Sequence, residues 1–476
     1  MKKTRITALA AAAAILASFT ACANNGGGED VTTTTTAETT TATMKEEHAE
    51  IVENVEVDAE KLENGTLKWL SFWDINPTSE GKAKPVSLQL FESKYGGKIE
   101  YIPTTNDEKY TKLASLVSSG DAPDMFPAAD LDTFPSKAVS GMFIPFDDYV
   151  DFDSELFPEG ARKVNEMHSV NGKHYMACVS AQTGVIMAYN KKTIEENGLD
   201  DPAELAYNNE WTWSKFKEMC YDYADPDEGK YAVGGWWYEH AMLLTTGVPA
   251  IEMKDGVLTN NLMDPSLARV QELFLEMKNA NVMYPYEEYE WKDHPEKVGE
   301  GDILFFPIGH WALLEPSGSS YNISSFGEEG DVMFVPMPRD ENADAWYLTA
   351  NGGLDAYALC KGAPNPEAVA AYINCKLIEL TDESVKEVNE AELRDIYHLT
   401  DEMIEMDNYI AELTNANPVI DFHSALDPQV SGALAEALKA SSYHGQDWYT
   451  AREELNGAVQ TYVDELNGKM QEMGNE

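Results

Sequence analysis

The alternation of short apolar strands with amphipathic helices, which begins at Thr66, constrains the fold of this chain most. The segment TLKWLSFW reads as a first strand, SEGKAKPVSLQLFESKYG as a helix, and KIEYIPT as a second strand. Strands that alternate with helices are typical of an α/β fold, and they predict a largely parallel sheet. Ligands of such sheets bind at the carboxyl ends of the strands.

The residues that follow these strands are therefore candidate ligand contacts. Trp73 and Asp74 stand at the end of the first strand. The stretch NDEKYTKLASLVSSGDAPDMFPAAD predicts a helix that stops near Gly120 and then a strand that ends at Asp130. Asp132 is an alternative to Asp130 for the same role.

The chain is too long for a single hydrophobic core. It has 476 residues, and single cores stop growing near ~250–300 residues. We therefore expect two lobes. The pattern continues with NGKHYMACVSAQTGVIMAYNKKTIEENGL, a β-rich passage that leads into a helix, and with GDILFFPIGHWALL, a buried strand that runs into a turn. Residues 431–470 are predicted to be helical.

The charge of the chain limits its partners. Lys and Arg number 34 and Asp and Glu number 83, which gives a formal net charge of -49. This charge argues against nucleic acid, because phosphates need cationic side chains to neutralise them. It also argues against polyanions and anionic lipid headgroups, which the protein's field repels. A neutral or cationic ligand is expected.

The sequence contains no recognisable metal, redox or cofactor motif. GxSxG, HExxH, P-loop and GxGxxG patterns are absent, and DPDEG lacks the ligand spacing of a calcium loop, so we interpret it as a turn. No metal and no cofactor are predicted. Four cysteines are interpreted as small buried side chains, with disulfide pairing as the alternative: Cys178, Cys220, Cys360 and Cys375. His310, His423 and His444 have no ligand-spaced partners and are interpreted as hydrogen-bonded structural residues.

The N-terminus is a targeting segment. MKKTRITALAAAAAILASFTACANN has a basic start, an apolar run and small residues, and it is too short for a membrane span of about 20 residues. Its end resembles a bacterial lipoprotein signal, which implies cleavage after residues 1–21 and a lipid on Cys22. The alternative is a secreted protein with an unmodified cysteine. Residues 22–63 are rich in Thr, Gly and acids, and we expect a disordered tether that spans roughly 35 Å.

The order of several segments resembles the extracellular solute-binding proteins of ABC importers, in particular the maltose-type sugar binders. The matching segments include YTKLASLVSSGDAPDMF, SGMFIPFDDYV, WTWSKFKEMC, VPMPRD and KGAPNPEAVAAYI, together with the two long passages above. The resemblance implies a two-lobed periplasmic-binding-protein-like fold of type II, with lobes joined by a hinge of crossing strands. The implied boundaries are 64–180 plus 345–380 for lobe 1 and 181–344 plus 381–476 for lobe 2.

The candidate site residues follow from sugar chemistry and from this resemblance. A sugar ring offers an apolar face for aromatic stacking and hydroxyls for carboxylates and amides. In GGWWYEH, Trp236 and Trp237 are candidate stacking partners, with core packing as the alternative, and Glu239 is a candidate polar contact. Trp311 matches a position that often carries a pocket tryptophan in the family, and Gln182 lies in a predicted hinge crossing. Trp73 is likewise a candidate stacking partner, and Asp74 and Asp130 are candidate polar contacts to sugar hydroxyls.

Other aromatic residues are assigned to structure or to the rim of the site. Trp211 and Trp213 open a predicted helix, and an aromatic residue there usually packs the helix against its neighbour. The segment YPYEEYEW, residues 284–291, is a candidate extension of a stacking platform at the cleft rim.

The expected function is capture of a neutral oligosaccharide by a lipid-anchored, monomeric substrate-binding component of an ABC transporter, on the extracellular face of the bacterial membrane. The partners that the resemblance implies are membrane permease subunits and a cytoplasmic ATPase. No catalytic residues are predicted. Two alternatives remain: the same fold with a polyamine or peptide ligand, and a secreted glycoside hydrolase, which needs two carboxylates across a scissile bond.

Overall fold

The structure, a computed structural model, describes most of the chain beyond the N-terminal segment. The described residues are 48–55, 57, 60–76, 84–129, 132–289, 292, 294–315, 319, 321–327 and 330–473. Residues 1–21, Cys22, most of the predicted tether and Asp130 lie outside this set. Among the described residues, no helix is both long and apolar enough to cross a bilayer.

The elements follow one another as strands and helices in mixed order. The strands are β1 (Thr66–Ser71), β2 (Lys98–Pro103), β3 (Met125–Pro127), β4 (Phe143–Ile144), β5 (Ser169–Val170), β6 (Lys173–His174), β7 (Ala177–Ala181), β8 (Val185–Asn190), β9 (Tyr231–Val233), β10 (Ile251–Lys254), β11 (Val257–Asn260), β12 (Ile303–Gly309), β13 (Val332–Val335), β14 (Leu348–Thr349), β15 (Leu354–Cys360) and β16 (Pro418–Val419). The helices are α1 (48–54), α2 (Val86–Tyr95), α3 (Lys109–Ser119), α4 (Ser136–Val139), α5 (Glu159–Met167), α6 (Lys191–Glu196), α7 (Pro202–Tyr207), α8 (Trp213–Tyr223), α9 (Tyr238–Leu244), α10 (Pro265–Asn279), α11 (Glu296–Glu300), α12 (Pro366–Thr381), α13 (Glu383–Asp395), α14 (Asp401–Ala416), α15 (Pro428–His444) and α16 (Trp448–Met473).

Two sheets organise the chain into the α/β, two-lobed fold that the sequence predicts. The first sheet has the order β2-β1-β3-β15-β4, and β7 also pairs with β15. The second sheet has the order β13-β8-β12-β9. In the second sheet β8 and β12 are buried along their whole length, which is typical of a sheet covered by helices on both faces.

The chain passes between the sheets at two places that bear on the site. It leaves the first sheet after β7 and enters the second at β8, across residues 182–184, and it returns across residues 336–353 between β13 and β15. Hydrogen bonds join the two crossing segments: the Gln182 amide donates to the Gly353 carbonyl at 2.9 Å, and the Gly184 amide donates to the Thr349 carbonyl at 2.8 Å. The crossings are therefore held side by side.

Local capping explains several of the predicted helix starts. Asp264 accepts a hydrogen bond from the Ser266 amide at 2.8 Å, and Pro265 occupies the first turn of α10. Thr212 caps α8 by accepting from the Lys215 amide at 3.3 Å.

Two expectations about the fold are corrected. The first sheet is mixed rather than largely parallel, because β15 runs antiparallel to β3, β4 and β7. The strand after Pro123 ends at Pro127 rather than at Asp130. The C-terminal tail is helical, as predicted, and it is divided into α15 and α16 because Gly445 adopts a left-handed conformation with φ 61° that ends α15.

The last part of the segment predicted to be a disordered tether is helical instead. Residues 48–54 form α1, and Ile51 and Val52 are buried against the core. These apolar side chains interrupt an otherwise polar segment, and their burial offsets the entropy cost of ordering it.

The residues assigned to structure are indeed buried. Trp211 donates its indole N–H to the Pro336 carbonyl at 2.9 Å, and Trp213 donates to Thr245 Oγ1 at 3.0 Å. Cys178, Cys220, Cys360 and Cys375 are free and buried, so the disulfide alternative is wrong for them. The DPDEG segment forms a short turn over Pro226–Glu228, as predicted.

Candidate functional site

A cavity of about 490 Å³ lies where segments from both sheets meet. The loop after β3, the turn after β12, both crossing segments, the start of α9 and the inner face of α15 all contribute to it. Its lining comprises Ala129, Asp132, Gly184, Val185, Trp237, Glu239, His240, Ala241, Gly309, Trp311, Thr349, Asn351, Gly352, His423, Ser424, Ala435, Leu438 and Lys439. The lining therefore combines apolar surface with a small number of polar groups, as small-molecule sites do.

The glycine pair before the two tryptophans is explained by a close backbone approach. Gly235 has φ 93°, and a Cβ there would lie 2.3 Å from the Pro307 carbonyl oxygen of β12. The same carbonyl accepts a hydrogen bond from the Trp236 amide at 2.8 Å. The chain then turns sharply, and Trp237 adopts a left-handed conformation with φ 58°. This conformation costs a non-glycine residue energy, and it leaves the Trp237 side chain 49% exposed at the cavity.

Trp311 provides a second indole beside Trp237. It follows β12 directly, and a Cβ on Gly309 would overlap its indole nitrogen, at 1.9 Å. Glycine at position 309 therefore allows the ring to fold back over the strand end. The centroids of the Trp237 and Trp311 rings are 6.5 Å apart and the rings are inclined at 73°, and Tyr321 packs against Trp311 with a centroid distance of 6.1 Å. The two indoles form an aromatic corner in the cavity wall.

Two carboxylates line the cavity near this corner. Glu239 is buried and accepts a hydrogen bond from Ser442 Oγ at 2.9 Å, and burial raises its pKa to about 7. Asp132 accepts from the Tyr110 hydroxyl at 2.6 Å and lies 3.4 Å from Lys109 Nζ. Each carboxylate is thus held by protein partners.

Two histidines and an aspartate form a further cluster in the cavity wall. His240 Nε2 lies 2.9 Å from Asp421 Oδ2, and His423 Nδ1 lies 3.5 Å from the same oxygen. The Asp421 side chain is fully buried, and its Oδ1 accepts from the amides of Ile251 and His423, each at 3.0 Å. Burial alone would raise the pKa of Asp421, but His423 and His240 hold it well below the ordinary value. Among the described residues, these three form the group whose donor atoms are close enough to hold a metal ion.

The structure brings three of the predicted site residues to the cavity: Trp237, Glu239 and Trp311. Trp236, the neighbour of Trp237, is not among the residues that line the cavity. Its ring stacks on Tyr286 at 5.9 Å, and the Tyr286 hydroxyl donates to the Gly235 carbonyl at 2.7 Å. Tyr284 and Tyr286 are buried, so this part of YPYEEYEW supports the tryptophan turn from behind instead of extending a platform at the rim.

The remaining predicted residues lie elsewhere or outside the described chain. Trp73 packs on Trp69 at 5.4 Å and is not among the lining residues, and Asp74 accepts from the Asn76 amide at 2.9 Å. Gln182 is buried in the crossing segment. Asp130 is outside the described residues, whereas its alternative, Asp132, lines the cavity.

Sequence reasoning missed His240, Asn351 and Lys439, and it assigned His423 to structure alone. His423 lines the cavity instead, and the group that joins it to His240 is Asp421. Asp421 and His240 are 181 residues apart, so spacing carries no signal for this cluster. His310 does form a buried pair with Asp407, at 2.6 Å, and His444 is paired with Glu287, as expected for structural residues.

Comparison with known proteins is consistent with this architecture. A family model described as bacterial extracellular solute-binding protein matches residues 88–377. The chain belongs to this family. No curated protein sequence matches this solute-binding protein significantly.

Several solved structures share the fold of this solute-binding protein at low sequence identity. The galacto-N-biose/lacto-N-biose I-binding protein of an ABC transporter from Bifidobacterium longum is 14% identical, with a TM-score of 0.58, over 86% of this chain and 99% of its own. The cyclic α-maltosyl-1,6-maltose binding protein from Arthrobacter globiformis is 14% identical, with a TM-score of 0.60, over 84% and 99%. A sugar transporter protein from Rhizobium etli in an open conformation is 16% identical, with a TM-score of 0.59, over 83% and 99%.

Proposed function

We propose that this protein is the substrate-binding component of an ABC transporter and that it captures a neutral oligosaccharide between its two lobes. The observation that carries the proposal is the aromatic corner of Trp237 and Trp311 in a cavity to which both sheets contribute. The proteins of similar fold from Bifidobacterium longum and Arthrobacter globiformis are named for the saccharides that they bind.

The chemistry of the cavity suits a saccharide. An indole face packs against the C–H face of a pyranose, and inclined rings let two faces contact successive sugar units or two sides of one unit. Asn351, Asp132 and Lys439 also line the cavity and offer acceptors and donors to hydroxyl groups. The strong negative charge of the chain disfavours anionic sugars such as sugar phosphates.

Closure of the lobes on the ligand follows from the placement of the contacts. Asp132 follows a strand of the first sheet, whereas Trp237 and Trp311 follow strands of the second. A ligand that contacts both groups stabilises the closed arrangement by the contacts that an open arrangement lacks. We propose the lobe boundaries 64–180 plus 345–380 and 181–344 plus 381–476, with the hinge at the crossings between the sheets.

The proposed activity is binding and release without chemical change. The family of this chain comprises solute-binding proteins. In the cavity, the Asp132 carboxylate is engaged by Tyr110 and Lys109, and Glu239 is engaged by Ser442. A hydrolase needs one carboxyl group as acid and another as nucleophile or base at the scissile bond. These engagements favour a positioning role for both carboxylates.

Attachment and delivery complete the proposal. We propose that Cys22 carries a lipid, that the following polar segment tethers the folded lobes to the outer face of the bacterial membrane, and that the loaded monomer docks on membrane permease subunits. The basis is the N-terminal sequence together with the extracellular family.

A calorimetric screen of the full chain against neutral saccharides tests the proposal. The panel contains lacto-N-biose, maltotetraose and β-1,6-galactobiose, and putrescine and a neutral peptide are titrated in parallel. We expect at least one saccharide to bind with micromolar or lower Kd and to raise the melting temperature, as mass action requires. If putrescine or the peptide binds while every saccharide fails, the ligand class is wrong. Shorter products after incubation with the bound saccharide would support a hydrolase.

A further inference from the structure

The cluster of His240, Asp421 and His423 has a geometry that the binding of a saccharide does not explain. Both imidazole nitrogens point to one carboxylate oxygen, at 2.9 and 3.5 Å. We propose that these three side chains bind a divalent transition-metal ion such as Zn²⁺ in the wall of the cavity. The proposal does not rest on the identity of the ligand, and the sequence alone predicts no metal site.

The separations of the donor atoms suit such an ion. Zinc binds imidazole nitrogens and carboxylate oxygens at about 2.0–2.2 Å in tetrahedral geometry, which places neighbouring ligand atoms roughly 3.2–3.6 Å from one another. The separation of His423 Nδ1 from Asp421 Oδ2, 3.5 Å, falls within this range, and that of His240 Nε2 from the same oxygen, 2.9 Å, lies below it. All three donor atoms lie within 4.8 Å of one another. An ion at this place would require His240 Nε2 to move slightly away from Asp421 Oδ2.

One of the donor atoms is left unsatisfied without an ion. His423 Nδ1 is buried and makes no hydrogen bond, although it faces the carboxylate. A buried polar nitrogen without a partner is rare and calls for an explanation. A metal ion between Nδ1 and Asp421 Oδ2 supplies the missing partner.

The carboxylate is held as a metal ligand usually is. The amides of Ile251 and His423 donate to Oδ1 of Asp421, and the Ala250 amide approaches Oδ2 at 3.3 Å. Such outer contacts fix the direction of a ligating carboxylate. The Asp421 cap of the turn Phe422–Ala425 accounts for the contact of Oδ1 with the His423 amide and places His423 nearby. It does not account for His240, which lies on α9 and meets the same carboxylate at Oδ2.

The cluster borders the cavity. His240 and His423 both line it, so an ion can reach them from that side, and three protein ligands leave the fourth tetrahedral position to water or a ligand oxygen. Lys439 also lines the cavity, and its charge opposes an incoming cation. The net charge of -49 attracts cations to the protein. Two imidazoles with one carboxylate favour zinc, copper, nickel or iron over calcium and magnesium, which prefer oxygen ligands.

Titration of the full chain with Zn²⁺ alone, without any saccharide, tests the proposal. We expect one ion per chain with micromolar or lower Kd, and at least a tenfold loss of affinity in His240→Gln and in His423→Gln. His174→Gln is the matched control, because His174 is also paired with an aspartate, Asp147, at 2.8 Å but belongs to no metal-capable group in the described chain. The control should bind Zn²⁺ like the unmodified protein.

A second measurement keeps the test independent of how the variants fold. Co²⁺ added to the unmodified protein should give the visible absorption of a four- or five-coordinate site, and one equivalent of Zn²⁺ should abolish it. The proposal is overturned if the unmodified protein binds Zn²⁺ only at millimolar concentration, or if folded His240→Gln binds it unchanged. Either result would leave the three side chains as a structural group without a metal and would not affect the saccharide proposal.

Discussion

Replacement of Trp237 by alanine should weaken saccharide binding about tenfold. Trp237 is 49% exposed, and a fully covered tryptophan side chain buries about 150–250 Å², so its exposed part offers about 100 Å² to a ligand. A sugar that covers one face takes roughly half of this area, which at about 25 cal/mol per Å² stabilises the complex by about 1.2 kcal/mol. Since about 1.4 kcal/mol changes Kd tenfold, the expected loss is close to an order of magnitude.

The assay is a calorimetric titration of the tightest saccharide from the panel into Trp237→Ala and a matched control. Tyr207→Ala is that control, because Tyr207 is 46% exposed but lies on α7, where it packs on Tyr409 and does not contribute to the cavity lining. The control should keep the affinity of the unmodified protein. Equal loss in both variants, or a Kd for Trp237→Ala within twofold of the unmodified value, would refute the reasoning.

Replacement of Trp237 by glycine distinguishes an effect on saccharide affinity from an effect on the stability of the fold. Trp237 has φ 58°, a conformation that glycine adopts without the strain that a side chain brings. Trp237→Gly should therefore lose affinity as Trp237→Ala does, while its melting temperature stays at or above that of the alanine variant. A glycine variant that melts lower than the alanine variant would show that the turn is not strained.

Three further predictions concern the second indole and two buried ionisable groups. Trp311→Ala should weaken saccharide binding tenfold or more by calorimetry with an unchanged circular dichroism spectrum; near-normal affinity would remove Trp311 from the site. Burial lowers the pKa of His168 to about 4, below the ordinary 6.5. As pH falls, the unfolded state therefore takes up the proton before the folded state does, and the folded state loses stability between pH 6.5 and pH 4. Urea unfolding at pH 7 and at pH 5 measures this effect. Between the two pH values, the free energy of unfolding of His168→Leu should decrease by about 2 kcal/mol less than that of the unmodified protein. Equal decreases in both proteins would contradict this pKa. Lys376 Nζ lies 3.1 Å from Asp355 and 3.3 Å from Glu379 in the core. Lys376→Met should lower the free energy of unfolding by about 3–5 kcal/mol in urea at pH 7, because it leaves two buried carboxylates unpaired. A decrease below about 1 kcal/mol would contradict that role.

The local features of the fold were predictable because they depend on neighbouring residues. The cap of α10 at Asp264, the buried strand Ile303–Gly309 and its turn into Trp311 all follow from short-range patterns. The antiparallel direction of β15 could not be predicted in this way. The alternation of strands and helices does not indicate the direction of a strand that returns from the other sheet. Crossing strands depend on contacts between distant parts of the chain.

The site was predictable only in part for the same reason. GGWWYEH drew attention to both tryptophans, but which one faces the cavity depends on the contact of Gly235 with Pro307 on a distant strand. The histidine cluster joins residues that lie 181 positions apart, and no spacing rule finds it. Trp73 follows the first strand, and the packing of its ring on Trp69 is a contact that the pattern of strands and helices does not predict.

A crystal structure of the full chain with the tightest-binding saccharide tests the central claim most directly. The account predicts an intact saccharide in the cavity, with one ring against Trp237 or Trp311 and with contacts from segments that follow strands of both sheets. A saccharide bound elsewhere on the surface, or held by residues of one sheet alone, would contradict it.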